Sequence, residues 1–407
     1  MNRKRRLGRL VFEAGALIAV VMLGCTGGGN NAGQATRLLL VADTMNHRLL
    51  GYNAAFTTGE SATLVLGQAN FTAGLANQGG PVGANTMSGP FGSAVDTAGN
   101  LFVADSGNCR VLRFTPPFTS GMSATLVLGK AALTDTCVPG VAATATSLSA
   151  PAGLAFDSSG NLWVADNSNS RVVEYRPPFS NGMPATLSIG QTSTGASAGC
   201  NQGGAPTATT LCLPGPPGFP PSFIAFDSMG NLWVGDEGNN RALKYSPPFT
   251  TGMVASVAIG QPDFISNSCL TSATGMCGAA GVAFDHAGNL WVGDDGNCRA
   301  LQFTPPFSTN MAASLELGQA AGGGQFTAQC TAATSQSGLS DADGLAFDSS
   351  GNLFVMDAGD NRTMVFSPPF SSGMNAAKVI GQADFISSGA ATTAATQNLP
   401  LGVATSH

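Results

Sequence analysis

Charge is scarce in this chain of 407 residues: Asp, Glu, Lys and Arg together make up only 10% of it. Histidine, tryptophan and tyrosine occur three times each. Each shortage closes off a class of function. His47 and His286 fall in loops and His407 is the last residue, so a three-histidine zinc centre is excluded by count and position. No Ser/His/Asp set can be assembled from these histidines either. Lys and Arg are not clustered as a phosphate-backbone footprint requires, so nucleic acid is excluded as a partner. The long Ala/Glu/Lys/Leu stretches of a helical protein are missing. So is a membrane span: the apolar run at residues 10–24 falls short of the roughly 20 residues that cross a bilayer as a helix.

What the chain has in quantity is turn chemistry. It holds 54 glycines and 23 prolines among 43% hydrophobic residues. Glycine supplies positive φ and proline presets turn geometry, so the mixture reads as an all-β protein and is too apolar for disorder. Five of the 17 basic residues (Arg3, Lys4, Arg5, Arg6, Arg9) precede the apolar run, the layout of a signal peptide over residues 1–24. That run ends in Met22-Leu23-Gly24-Cys25, which resembles a lipobox with Cys25 as the lipidation site. Residues 25–36 then read as a flexible tether. The expectation is an exported cell-envelope lipoprotein, with plain secretion as the alternative. Without the first 24 residues, 12 basic face 22 acidic side chains, so the exported part is acidic.

One pattern recurs through residues 37–407: Gly-Asn-Leu-aromatic-Val-x-Asp, a short polar stretch, Arg, apolar positions, then Phe or Tyr. Its aspartates are Asp43, Asp105, Asp166, Asp236, Asp294 and Asp357, and its arginines Arg48, Arg110, Arg171, Arg241, Arg299 and Arg362. Within one copy, residues 153–157, 162–166, 171–175 and 185–190 read as four short strands separated by turn signals. Four strands per repeat, repeated radially, predict a propeller, here with six blades. The C-terminal stretch 399–404 matches a first strand, whereas the chain enters the repeat at Leu38 with a second strand. The last blade is therefore expected to be a composite of both ends, which covers the open edges.

These residues carry a family resemblance. Asn46-His47-Arg48, and the Asp…Asn…Arg frame in every copy, resemble NHL repeats. The resemblance implies an all-β, six-bladed propeller over nearly all of the exported part, with longer linkers than usual. The peptide-amidating lyase, an enzymatic relative of such propellers, places histidines on its metal, which this chain does not match.

Most residues that look chemical are explained by the repeat. Trp163, Trp233 and Trp291 share one strand position, and Tyr52, Tyr175 and Tyr245 another, so both sets are expected in the core between blades. The arginines are expected to pair with their own aspartates or with carbonyls. The pairs Asp236-Glu237 and Asp294-Asp295 lack the oxygen spacing of a calcium loop and read as solvated turns, so no metal or cofactor is expected. Beyond Cys25, eight cysteines remain, an even count for an exported protein. Their positions suggest Cys109–Cys137, Cys200–Cys212, Cys269–Cys277 and Cys298–Cys330, with Cys277–Cys298 as an alternative bridge.

The ligand site is expected where first strands line the channel, at the residue before each strand-one glycine: Phe91, Ala152, Ser222, Ala280, Asp343 and Leu401. Only Asp343 is charged, with Asp341 two residues earlier, so Asp343, Asp341, Ser222 and Phe91 are the candidate ligand-binding residues. A lone carboxylate on a bland rim suits a cationic or hydroxylated ligand; it equally suits a turn cap. The expected function is non-catalytic binding or scaffolding by a monomer, toward a protein or small-molecule partner. A propeller lyase or lactonase acting at the channel is the alternative, and an envelope sensor a third.

Overall fold

The computed structural model describes residues 38–405, apart from 54–55, 139, 141, 197–198, 216–220, 320–325, 329 and 331–332. The expected leader (1–24) and tether (25–36), with Cys25, lie outside the described residues. The described residues form six antiparallel four-stranded sheets. In chain order, blade one contributes β1 (Leu38–Asp43), β2 (Arg48–Asn53) and β3 (Leu64–Leu66). Blade two is β4 (Pro90–Val95), β5 (Leu101–Asp105), β6 (Arg110–Phe114) and β7 (Leu126–Leu128). Blade three is β8 (Pro151–Phe156), β9 (Leu162–Asp166), β10 (Arg171–Tyr175) and β11 (Leu187–Ile189). Blade four is β12 (Ile224–Phe226), β13 (Leu232–Asp236), β14 (Arg241–Tyr245) and β15 (Val257–Ile259). Blade five is β16 (Ala279–Phe284), β17 (Leu290–Asp294), β18 (Arg299–Phe303) and β19 (Leu315–Leu317). Blade six is β20 (Leu345–Phe347), β21 (Leu353–Asp357), β22 (Arg362–Phe366) and β23 (Lys378–Ile380). The final strand, β24 (Pro400–Thr405), returns to blade one and pairs with β1, giving the order β24-β1-β2-β3.

Blade four shows why the repeated residues build this hairpin set. The Asp227 carboxylate accepts from the Met229 and Asn231 N–H groups at 3.0 and 2.9 Å and from Asn231 Nδ2 at 2.7 Å. Gly230 completes that turn at φ 76°, a conformation that a side chain would strain. The second turn is held by Asp236, whose Oδ2 accepts from Asn239 Nδ2 at 2.9 Å and from Arg241 Nε at 2.7 Å. Arg241 then reaches out of its own turn to the Phe264 carbonyl at 2.5 Å and the Thr207 carbonyl at 2.9 Å. One guanidinium thus pins the linkers on both sides of its blade. The Asp–Arg pair recurs in all six blades at 2.6–2.7 Å, fully or almost fully buried.

Six hydrophobic clusters hold the ring, each joining one blade to the next. Trp233 illustrates the joint. Its Nε1 donates to Asp227 at 3.1 Å, and its ring meets Phe284 and Phe307 of blade five edge-on, with centroids 5.9 and 4.9 Å apart. Edge-to-face pairs of this kind contribute beyond the apolar area they bury. All three tryptophans and all three tyrosines are fully buried in these joints. Four disulfides brace the linkers: Cys109–Cys137, Cys200–Cys212, Cys269–Cys277 and Cys298–Cys330. These are the pairs suggested by the linker positions. They fit an oxidising, exported environment. Among the described residues, no helix is long and apolar enough to cross a membrane.

Candidate functional site

The first strands stand side by side around the axis, β24, β4, β8, β12, β16 and β20 each neighbouring the next and β20 returning to β24. Glycine allows this approach. A Cβ on Gly92 would strike the Ala152 carbonyl, one on Gly281 the Asp343 carbonyl, and one on Gly402 the Phe91 carbonyl. The other three junctions are hydrogen-bonded: Gly153 N–H to Ser222, Phe223 N–H to Ala280 and Gly344 N–H to Leu401, at 3.0–3.1 Å. Phe91, Ala152, Ser222, Ala280, Asp343 and Leu401 therefore close into one ring. The sequence places these six at an open channel mouth; the structure brings them together but buries them, none more than 6% exposed. Neighbouring first strands meet backbone to backbone at this level.

The ring has two unlike arcs. Phe91, Ala152 and Leu401 pack with Ala358 and Leu399 into an apolar cluster. Asp343 belongs to the opposite character. Its neighbours there come from a second tier, the residue after each strand-ending aspartate: Thr44, Ser106, Asn167, Glu237, Asp295 and Ala358. Ala358 completes the apolar arc, and Thr44 donates to the Pro90 carbonyl at 2.8 Å. Asp295, Asp341 and Asp343 each bring a carboxylate oxygen to within 4.8 Å of the others. Glu237 lies alongside: a Cβ on Gly278 would be 3.5 Å from Asp295 Cβ and 3.7 Å from Glu237 Oε1.

This corrects the reading of Asp236-Glu237 and Asp294-Asp295 as solvated turns. Asp236 and Asp294 are buried against Arg241 and Arg299. Glu237 is 8% exposed and Asp295 half-buried. Consecutive side chains on a strand end diverge, so one acid of each pair meets its arginine and the other turns toward the acidic arc. A sequence reading that takes each acidic pair as a unit does not single out Glu237 and Asp295. The signal was available: of the six residues at that repeat position, only these two are acidic.

The electrostatics of the acidic arc are one-sided. Among the described residues, none of Glu237, Asp295, Asp341 and Asp343 makes an ion pair. Burial, then the charges of Asp295 and Asp236, push Glu237 up to about 8. Burial, then Asp341 and Asp294, push Asp295 up to about 7, against one N–H bond from Ala342. Burial also raises Asp341. Asp343 lies far above the usual carboxylate range, through burial first and then Asp295, Asp341, Asp357 and Glu237. Among the described residues, Asp343 Oδ1 has no hydrogen-bond partner, and neither has Glu237 Oε2. Such a group either holds a proton or meets a cation. Asp295 and Asp341 keep partial exposure, so the arc is reachable from solvent.

Two features look catalytic by residue type alone. His47 Nδ1 accepts from the Gly89 N–H at 2.9 Å, a loop contact. Gly195-Ala196-Ser197-Ala198-Gly199 has the letters of a nucleophile elbow, but that motif requires a strand-to-α-helix turn. Here the string runs from the linker after β11 to a short 3-10 turn at Cys200–Gly203, and Ser197 lies outside the described residues.

Six four-stranded blades, radially closed and clamped by one buried Asp–Arg pair each, define a six-bladed β-propeller. One of its repeats, residues 148–175, matches the NHL repeat family model. No curated protein matches the sequence. Among solved structures, the chain is similar at 9% identity to a protein of unknown function from Bacteroides caccae, with a TM-score of 0.50 over 91% of this chain and 99% of that one. It is similar to an aldose sugar dehydrogenase from Streptomyces coelicolor at 17% identity, with a TM-score of 0.43 over 73% and 82%. It is also similar to virginiamycin B lyase from Staphylococcus aureus at 11% identity, with a TM-score of 0.39 over 68% of this chain and 66% of the lyase. Likeness at this level is of fold alone.

Proposed function

We propose that this propeller is a non-catalytic binding module of the cell envelope, held there by a lipid on Cys25. Its ligand, cationic or hydroxylated, is recognised at the acidic arc around Asp343. The observation that carries this reading is the Asp343 carboxylate: 2% exposed, with Oδ1 unpartnered and carboxylates on several sides. Leaving a buried polar group unsatisfied costs about 1–3 kcal/mol, so an unfilled acceptor here is accounted for by a group that arrives from outside. Binding is favoured over turnover because the arc offers acceptors and proton holders but no base–nucleophile pair.

The test is a panel of small cationic and polyhydroxylated compounds titrated into the purified full chain and into its Asp343→Asn variant. A compound that binds the wild type should bind the variant at least tenfold more weakly, at an unchanged melting temperature. Equal affinity for both proteins would place the site elsewhere, and chemical conversion of a bound compound would favour the lyase or lactonase alternative.

A further inference from the structure

We infer that Asp295, Asp341 and Asp343, assisted by Glu237, form a site for one divalent cation of the calcium class. The inference rests on the reading of the acidic arc as a binding site and names its ligand as an inorganic ion. Geometry comes first. Calcium–oxygen bonds are about 2.3–2.6 Å long, so ligand oxygens on one ion are no more than roughly 5 Å apart. The three aspartates offer oxygens within 4.8 Å of one another, close enough to be drawn onto one ion. The donors are carboxylates throughout, with no His or Cys among them. Hard oxygen donors select calcium or magnesium over zinc or copper. The donors come from blade five and the linker entering blade six, with Glu237 approaching from blade four. Such an irregular set suits calcium's variable coordination better than the near-octahedral shell that magnesium requires.

Independent of the clustering, two buried oxygens lack any hydrogen-bond partner among the described residues. Asp343 Oδ1 belongs to a residue 98% buried and Glu237 Oε2 to one 92% buried. Native structures satisfy such atoms. A divalent cation would satisfy both and would neutralise the carboxylates that lie together there, away from any counter-charge among the described residues. Without a cation, these atoms would be satisfied by bound protons or ordered water. The two cases make opposite predictions for neutral variants.

The experiment uses the full chain stripped with a chelator, with calcium chloride as the probe and magnesium chloride as comparator. Calorimetric titration should give one calcium ion per chain, bound at least tenfold more tightly than magnesium, and calcium should raise the melting temperature. Asp295→Asn and Asp341→Asn alter partly exposed residues, so the fold should survive in both. Each should weaken calcium at least tenfold, while in chelator each should melt no lower than the stripped wild type, because repulsion has been removed. If calcium fails to bind or stabilise while an organic compound still binds in an Asp343-dependent way, the cation inference is wrong and the binding reading stands. If calcium binds both variants as tightly as wild type, the ion sits elsewhere and the inference also fails.

Discussion

The arginine of each repeat is the residue on which blade geometry turns. Arg241 donates through Nε to Asp236 and through its other nitrogens to carbonyls at Phe264, Thr207 and Thr210. It is completely buried. Removing one partner of a buried ion pair leaves the other charge uncompensated, which costs about 3–5 kcal/mol. Arg241→Met should therefore lower the urea midpoint by that equivalent at an unchanged slope. Arg241→Lys should recover little of it, since an ammonium cannot span both linkers. A loss below about 1 kcal/mol in Arg241→Met would mean the clamp is replaceable by packing. This pairing was legible because one Arg follows one Asp six times over. Asp343 was legible too, as the one charged residue at its repeat position. Its partners were less so. Asp341 stands out only by proximity, and Glu237 and Asp295 are marked as the two acids at their repeat position, but only the fold sets them beside Asp343.

At the scale of elements, the second and third strands of blade three match their sequence assignment residue for residue: Leu162–Asp166 and Arg171–Tyr175. Their Asp, Arg and aromatic markers sit at the strand ends. The first strand was read two residues late, because it begins at Pro151 and its register with β9 shifts between Pro151 and Leu154. A bulge breaks the two-residue alternation that sequence reading follows. The outer strand is shorter than the stretch 185–190, only Leu187–Ile189, since nothing pairs beyond it. The linkers then depend on their disulfides. Closing a longer loop restricts the unfolded chain more. Cys298–Cys330 spans 32 residues and Cys269–Cys277 only 8. Replacing both members of the longer bridge with Ala should destabilise by about 1 kcal/mol more than the same change in the shorter, within a typical loss of about 2–4 kcal/mol each. Chemical denaturation of the two double variants gives the comparison, and a larger loss from the shorter bridge would contradict it.

Two predictions concern the molecule as a whole. If Cys25 is acylated, Cys25→Ser should abolish incorporation of labelled fatty acid and release the protein from membranes with its melting temperature unchanged; a wild type that never takes up label would end the anchor proposal. The other prediction tests closure of the ring. The two ends of the propeller meet in blade one, where Leu39 pairs with Thr405, Leu40 with Ala404, Val41 with Val403 and Ala42 with Gly402. The junction is more than a strand pair. The Asn398 N–H donates to Asp43 Oδ1 at 2.7 Å, and Arg48 Nη2 donates to the Thr393 carbonyl at 2.7 Å, so the first blade's clamp holds the C-terminal linker. Val403 also belongs to the cluster between blades six and one, with Leu39, Val41, Phe354 and Met356. Deleting residues 399–407 removes β24, bares the edge of β1 and opens that cluster, whereas deleting 406–407 alone leaves β24 in place. Each kcal/mol lost should lower the melting temperature of a domain this large by roughly 2 °C or less, and the longer deletion removes a whole strand with its share of core. The longer deletion should therefore melt several degrees below wild type and bind a hydrophobic dye, while the shorter one behaves as wild type. A longer deletion that melts with the wild type would mean that five complete blades and a three-stranded sixth close without the returning strand.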